Sequence, residues 1–170
     1  MRRVLVVGSG GAGKSTFARR LGQLLDVEVV HLDKLYWNAG WVETAKEVWA
    51  EKVSELVQRD AWVMDGNYSG TFDIRIPACD TIIFLDMPRR LCLWRVVKRF
   101  VQHRGGTRPD MAAGCNEQLR PEFILWIWNY PKRQRTAVLK LMREQAACKR
   151  MIRLRSPAEA ERFLAAVRKS

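Results

Sequence analysis

Eight residues near the N-terminus, Gly8-Ser9-Gly10-Gly11-Ala12-Gly13-Lys14-Ser15, constrain this chain more than any other stretch. They satisfy G-x-x-x-x-G-K-[ST] at every fixed position, with the apolar run Val4-Leu5-Val6-Val7 before them and a helix-like Ser15–Leu25 after. In a strand–glycine loop–helix of this kind, backbone N–H groups curl round a phosphate and the helix N-terminus adds a favourable dipole. Gly8, Ser9, Gly10, Gly11, Ala12, Gly13, Lys14, Ser15 and Thr16 are therefore expected to cradle a nucleotide, ATP or GTP. Lys14 would reach its β/γ-phosphates and the Ser15 hydroxyl would sit on Mg²⁺. A chance glycine turn is the bland alternative, and four fixed positions with correct flanks weigh against it.

The flanking pattern predicts an α/β fold: a P-loop NTPase with a five-stranded parallel sheet and helices on both faces. Strands are expected at about Arg3–Val7, Glu28–Leu32, Ala61–Met64, Thr81–Leu85 and Arg150–Arg155. A helix near Glu43–Arg59 places Ala45, Val48, Trp49, Val53, Leu56 and Val57 on one face, with Glu43, Glu47, Glu51 and Glu55 on another. Further helices are expected from Pro88 to Val101, from Glu122 to Ala147 with a bend near Pro131, and after a Ser156 cap with Pro157 in first position. Gly105-Gly106, Pro109 and Gly114 make a regular element between His103 and Pro121 unlikely to form, so a single domain with an insertion at about 102–121 is expected.

At 170 residues the chain can bury one good core. No apolar run approaches a membrane span, and Met1-Arg2-Arg3 leads straight into a strand, so a soluble cytosolic protein without membrane partners is expected. Cys79, Cys92, Cys115 and Cys148 are widely spaced, and His31 and His103 are the only histidines, which suggests neither a zinc site nor a disulfide framework.

In open α/β sheets ligands collect beyond the carboxyl ends of the strands. Asp65 follows Trp62-Val63-Met64 and is the candidate to hold Mg²⁺ beside Ser15. Asp33 is the candidate to orient or deprotonate an acceptor hydroxyl, although either Asp could simply form a turn or cap. Tyr36, Trp37 and Trp41 follow in a stretch that reads as neither strand nor long helix. They could line an acceptor pocket or pack the loop onto the core. Arg75 could clamp an acceptor phosphate or carboxylate, or form a surface ion pair with Asp73.

The net charge of +12 lies entirely in the second half: residues 1–85 carry −1 and residues 86–170 carry +13. Such asymmetry suits polyanionic small molecules or a nucleic-acid surface. Met87–Pro109 holds Arg89, Arg90, Arg95, Lys98, Arg99, Arg104 and Arg108 without an acid, and Lys132, Arg133 and Arg135 return on the long helix. Arginines in a glycine-flanked segment that closes over a nucleotide would stabilise the charge of a transferring phosphoryl group. A solvated charged face is the duller account.

On Gly8–Thr16, His31–Trp37, Asp65-Gly66-Asn67-Tyr68, Asp80–Asp86, Pro88–Arg99 and Arg153–Pro157, the chain resembles the nucleoside-monophosphate-kinase-like P-loop kinases. Within them it is most similar to the small adenylate-kinase-related proteins labelled DNA topology modulation protein FlaR. The resemblance implies ATP as phosphate donor and a lid after the fourth strand. It also implies that Arg95 and Arg99 are lid-helix arginines meeting the adenine and phosphates, that Arg133 or Arg135 supplies the far arm, and that Arg155–Ala158 lies against the base. Asn67-Tyr68-Ser69 stands where adenylate kinase has phenylalanine-proline-arginine, and the Tyr36–Trp41 segment replaces its acceptor-binding helix pair. Asn67, Asp33, Tyr36, Trp37, Trp41 and Arg75 therefore form the expected substrate side, for an acceptor the sequence does not name. The expected function is transfer of the ATP γ-phosphate to a small molecule, such as a nucleotide or nucleoside. Lys14, Asp33, Arg99, Arg133 and Arg135 are its catalytic candidates. A nucleotide-switched nucleic-acid regulator and a plain ATPase are the alternatives, although no base-reading motif is present.

Overall fold

The computed structural model describes residues 1–103, 106 and 110–168. Five strands form one parallel sheet: β1 (Arg3–Gly8), β2 (Val29–His31), β5 (Trp62–Asp65), β6 (Thr81–Leu85) and β7 (Arg150–Leu154), in spatial order β2-β5-β1-β6-β7. From β1 the chain runs through α1 (Lys14–Leu25) out to β2, returns to β5 beside β1, then crosses to β6 and β7 on the other side. The order reverses around β1, so the crevice such sheets reserve for ligands opens at the loop that follows it. Register places Asp65 opposite Val6 and Leu85 opposite Gly8, which brings the ends of β5 and β6 level with that loop.

The strands are short apolar runs because both faces of the sheet are covered. Alternation divides β1 between two cores: Leu5 and Val7 face Trp49, Val53, Met64 and Phe84, whereas Val4 and Val6 face Phe17, Leu21, Ile83 and Leu164. The first core is roofed by α3 (Lys46–Val57) and α4 (Phe72–Ala78), the second by α1 and α7 (Pro157–Val167). Each large aliphatic or aromatic side chain so buried contributes about 1.5–3 kcal/mol. The Ser156 hydroxyl caps α7 by accepting from the Glu159 N–H, with Pro157 in first position, as its sequence predicts.

Several local expectations are corrected. Tyr36, Trp37 and Trp41 are not in an irregular loop. Tyr36 ends a short helix α2 (Leu32–Tyr36), and β3 (Trp37–Asn38) pairs antiparallel with β4 (Val42–Glu43). The turn between them places Gly40 and Trp41 at φ 75 and 64, and Trp41 N–H donates to Asn38 O. The helix expected from Glu43 therefore starts at Lys46, and Ala45 and Val48 face solvent while Trp49, Val53, Leu56 and Val57 are buried. Phe72–Ile76 is helical, in α4. α5 spans Arg89–Gln102, and α6 runs from Pro121 to Gln145 as one helix through Pro131. Arg104, Gly105, Arg108 and Pro109 lie outside the described residues. Cys79, Cys92 and Cys115 are buried free thiols, and Cys148 is exposed. Among the described residues no helix is long and apolar enough to cross a membrane.

Candidate active site

The loop after β1 takes its shape from glycine. Gly8, Gly11 and Gly13 have φ of 153, 75 and 93, and a Cβ on Gly11 would lie 2.3 Å from the Cys92 carbonyl oxygen. The start of α5 presses on the loop at that point, and Phe123 of α6 closes on Gly10. No side chain caps α1 and its first turn holds no acid, so its leading amides carry the positive end of the helix dipole into the loop. Ser15 and Thr16 sit in that first turn.

Lys14 folds over the loop, its Nζ donating to the carbonyl oxygens of Gly8 and Ser9 at 3.0 Å each. Burial holds its pKa below the usual lysine value, while the charges of Asp33 and Asp65 pull the other way and that of Arg99 adds to the lowering. Three groups distant in sequence, Asp33, Asp65 and Arg99, thus share the electrostatic neighbourhood of one ammonium group. Arg95, also expected here, donates from Nη1 to Ala12 O at 3.0 Å and pins α5 to the loop. Arg99 turns toward the connection after α5, its Nε donating to the buried Glu117 carboxylate at 2.7 Å.

Asp65, the candidate metal ligand, accepts from no lysine or arginine side chain among the described residues. It lies 2.6 Å from His31 Nδ1, its neighbour in register at the end of β2. Burial pulls the His31 imidazole down, but the Asp65 hydrogen bond and charge, with the charge of Asp110, outweigh it and leave its pKa raised. His31 is a site residue that motif reading missed; its position at the end of a strand beside Asp33 was the available signal. Asp33, in α2, accepts from the Tyr68 hydroxyl at 2.7 Å. Burial, then the Asp33 charge, drives the Tyr68 phenol well above its ordinary value and keeps it a donor.

Asn67 and Arg75 have other partners than those expected. The Asn67 amide makes two bonds with Gly8, accepting its N–H at 3.1 Å and donating to its carbonyl at 2.9 Å. Arg75 is fully buried and donates to the carbonyls of Gly66, Asn67 and Tyr68 and to the Thr71 hydroxyl. Among the described residues every hydrogen bond of the guanidinium is made within the 66–71 turn, so it is committed there and not to an ion pair with Asp73. Burial pushes it down to about 9, still charged at neutral pH.

The aromatic segment divides in two. Tyr36 joins the core, its ring 5.2 Å from Trp49 and 4.6 Å from Tyr68, whereas Trp37 and Trp41, 5.4 Å apart, stay partly exposed on the hairpin. The connection after α5 rests on that hairpin: Trp41 Nε1 donates to Asn116 O, Cys115 Sγ to Asn38 O and Gly40 N to Gly114 O. Of the two far-arm candidates, Arg135 pairs with Asp86 at 2.8 Å beside Arg153, while Arg133 is exposed. Arg155 is exposed ahead of α7, its backbone N–H on Glu159. Part of the basic excess is thus spent internally, on Glu117 and Asp86, and Arg89 lies over the Trp128 ring.

A hydroxyl and a carboxylate are hard oxygen donors of the kind Mg²⁺ takes, and Ser15 and Asp65 flank the same loop, so these residues fit the ion.

No family model and no curated protein matches the chain. Among solved structures it is similar to a shikimate kinase from Acinetobacter baumannii in complex with shikimate, with a TM-score of 0.63 at 18% identity over 98% of this chain and 93% of that one. It is also similar to a shikimate kinase from Bacteroides thetaiotaomicron, with a TM-score of 0.53 at 14% identity over 99% and 96%. The narrower likeness to the DNA topology modulation proteins finds no counterpart in these two structures. Sheet order, glycine loop and full-length superposition together give this chain the P-loop fold of the nucleoside-monophosphate-kinase-like proteins.

Proposed function

We propose that this protein is an ATP-dependent phosphotransferase acting on a small hydroxylated acceptor. The observation that carries the reading is the glycine loop after β1, with Lys14 on the Gly8 and Ser9 carbonyls, Arg95 on Ala12 and the end of β5 at Asp65 level with Val6. Glycine amides and the α1 N-terminus bind the donor phosphates, and Lys14 swings from the Gly8 and Ser9 carbonyls to neutralise them. Ser15 and Asp65 would hold Mg²⁺, which when bound would supply charge neutralisation at the phosphate oxygens. His31 orients the Asp65 carboxylate. Arg99 stabilises charge on the transferring group, with Arg135 or Arg133 as the second cation, and Arg155 borders the base. Asp33, held by Tyr68, takes or orients the acceptor hydroxyl proton. Trp37 and Trp41 offer the acceptor an apolar wall. The connection after α5 acts as a lid, closing on the hairpin and excluding water.

Shikimate, bound in one structural neighbour, is the first acceptor to try, followed by nucleosides and nucleotides. Titration calorimetry with MgATP is expected to show binding by the wild type and a loss of about a hundredfold or more in Lys14→Ala. ADP formation that depends on one added acceptor completes the assignment. Failure of the wild type to bind ATP sinks the proposal, and ADP release indifferent to every acceptor makes the protein an ATPase.

A further inference from the structure

The backbone that follows β5 is costly. Gly66 has φ 135, and Tyr68, a bulky aromatic residue, stands at φ 31 and ψ 64 in the left-handed region. Such conformations persist only where their surroundings over-determine them. Here Thr71 closes the turn on the Tyr68 carbonyl, and one side chain reaches all three of its successive carbonyls. From inside α4, Arg75 directs Nη1 at Gly66 O and Nη2 at Asn67 O and Tyr68 O, with Nε on Thr71 Oγ1 and the guanidinium 4.8 Å above the Phe72 ring. Three successive carbonyls are gathered on one planar fork, which a lysine ammonium cannot imitate.

The two side chains borne by this turn point to opposite halves of the site. Asn67 closes both polar groups of Gly8 at the mouth of the phosphate loop, and the Tyr68 hydroxyl holds Asp33. We infer that Arg75 is a positioning residue that sets both halves of the site at once, through Asn67 on the donor loop and through Tyr68 on the acceptor carboxylate. This rests on the kinase reading and adds to it a mechanical link between donor and acceptor sides.

The test uses Arg75→Lys, Asn67→Ala and the double variant. MgADP affinity is measured by calorimetry, and folding by circular dichroism and urea titration. Asn67→Ala is expected to keep a cooperative fold and lose about tenfold in MgADP affinity, the worth of a well-placed hydrogen bond pair near a charge. Arg75→Lys is expected to lose at least as much, and the double variant no more than Arg75→Lys alone, because both changes release the same contact. A merely structural role would lower the urea midpoint and leave the affinity of the folded protein unchanged. Should Arg75→Lys fail to fold, Asn67→Ala decides the donor half alone. Wild-type affinity in folded Asn67→Ala, or additive losses in the double variant, overturns the inference. Loss of binding in Lys14→Ala within the same series shows that the nucleotide-binding part of the kinase reading stands regardless. A wild type that does not bind MgADP removes that reading, and the positioning role with it.

Discussion

The loop after β1 and the turn after β5 meet at Gly8, yet they hold their shapes by opposite means. The first relies on glycine at its bends: Gly11 and Gly13 adopt left-handed backbone, and the space a Cβ needs at Gly11 is taken by the Cys92 carbonyl. The second keeps a tyrosine in left-handed backbone and supplies the holding force from outside, through the buried Arg75 fork. A glycine loop leaves its amides free for a ligand, but nothing can be added to it. An arginine-held turn can display functional side chains, at the cost of dependence on one distant residue. On the proposed function, a donor side would need bare amides and an acceptor side a carboxylate held at a fixed angle, so each device would suit its half.

Substitutions that break or sharpen this contrast should differ in size. Gly11→Ala meets the Cys92 carbonyl 2.3 Å from its new Cβ at φ 75, and is expected to lose about 3 kcal/mol of stability, from left-handed strain plus overpacking. Urea denaturation reads that value, and a loss below that of Tyr68→Phe would dissolve the contrast. Gly66→Ala, at φ 135 with Leu32 Cβ 2.9 Å away, is expected to lose about 2 kcal/mol by the same two causes. Restoration of its stability by Leu32→Ala would show that crowding outweighs backbone strain there. Tyr68→Phe keeps the turn and deletes the hydroxyl that bonds Asp33 and meets the Trp37 side chain, so about 1 kcal/mol is expected, and a double cycle with Asp33→Asn isolates the Asp33 pair. Asp26 gives the smallest effect and the control. It ends α1 at φ 53, and among the described residues no side-chain bond holds it, so Asp26→Gly should stabilise by roughly 0.5 kcal/mol, strain relief being offset by unfolded-chain entropy. An equal gain from Tyr68→Gly would mean that Arg75 does not hold the turn.

The same contrast explains what was legible in the sequence. Gly8–Ser15 could be read because a phosphate loop is local: eight consecutive residues carry its geometry and its chemistry. The five sheet strands were legible as apolar runs, since parallel strands are buried on both faces. The hairpin at Trp37–Glu43 was obscured by its aromatics, though Asn38 and Gly40 carried a turn signal. α4 was missed because it is short and holds Pro77 near its end. The pairing of His31 with Asp65 and the bonds of Arg75 to its turn depend on where strands and helices come to rest. The first joins residues 34 positions apart in the chain. Arg75 was read as an acceptor clamp, with a surface ion pair to Asp73 as the alternative, because charged residues are rarely buried without a carboxylate; it is buried because carbonyls take that role.

The hairpin tip and the connection after α5 meet backbone to backbone. Gly40 N–H donates to Gly114 O, and a Cβ on Gly114 would stand 3.0 Å from that of Ala39. A contact of that kind leaves no slack for insertions. Lengthening the 39–40 turn would lift the connection from its seat unless residues 110–120 were shortened to match. Any redesign of the hairpin must therefore treat the two segments as one part, exchanged together.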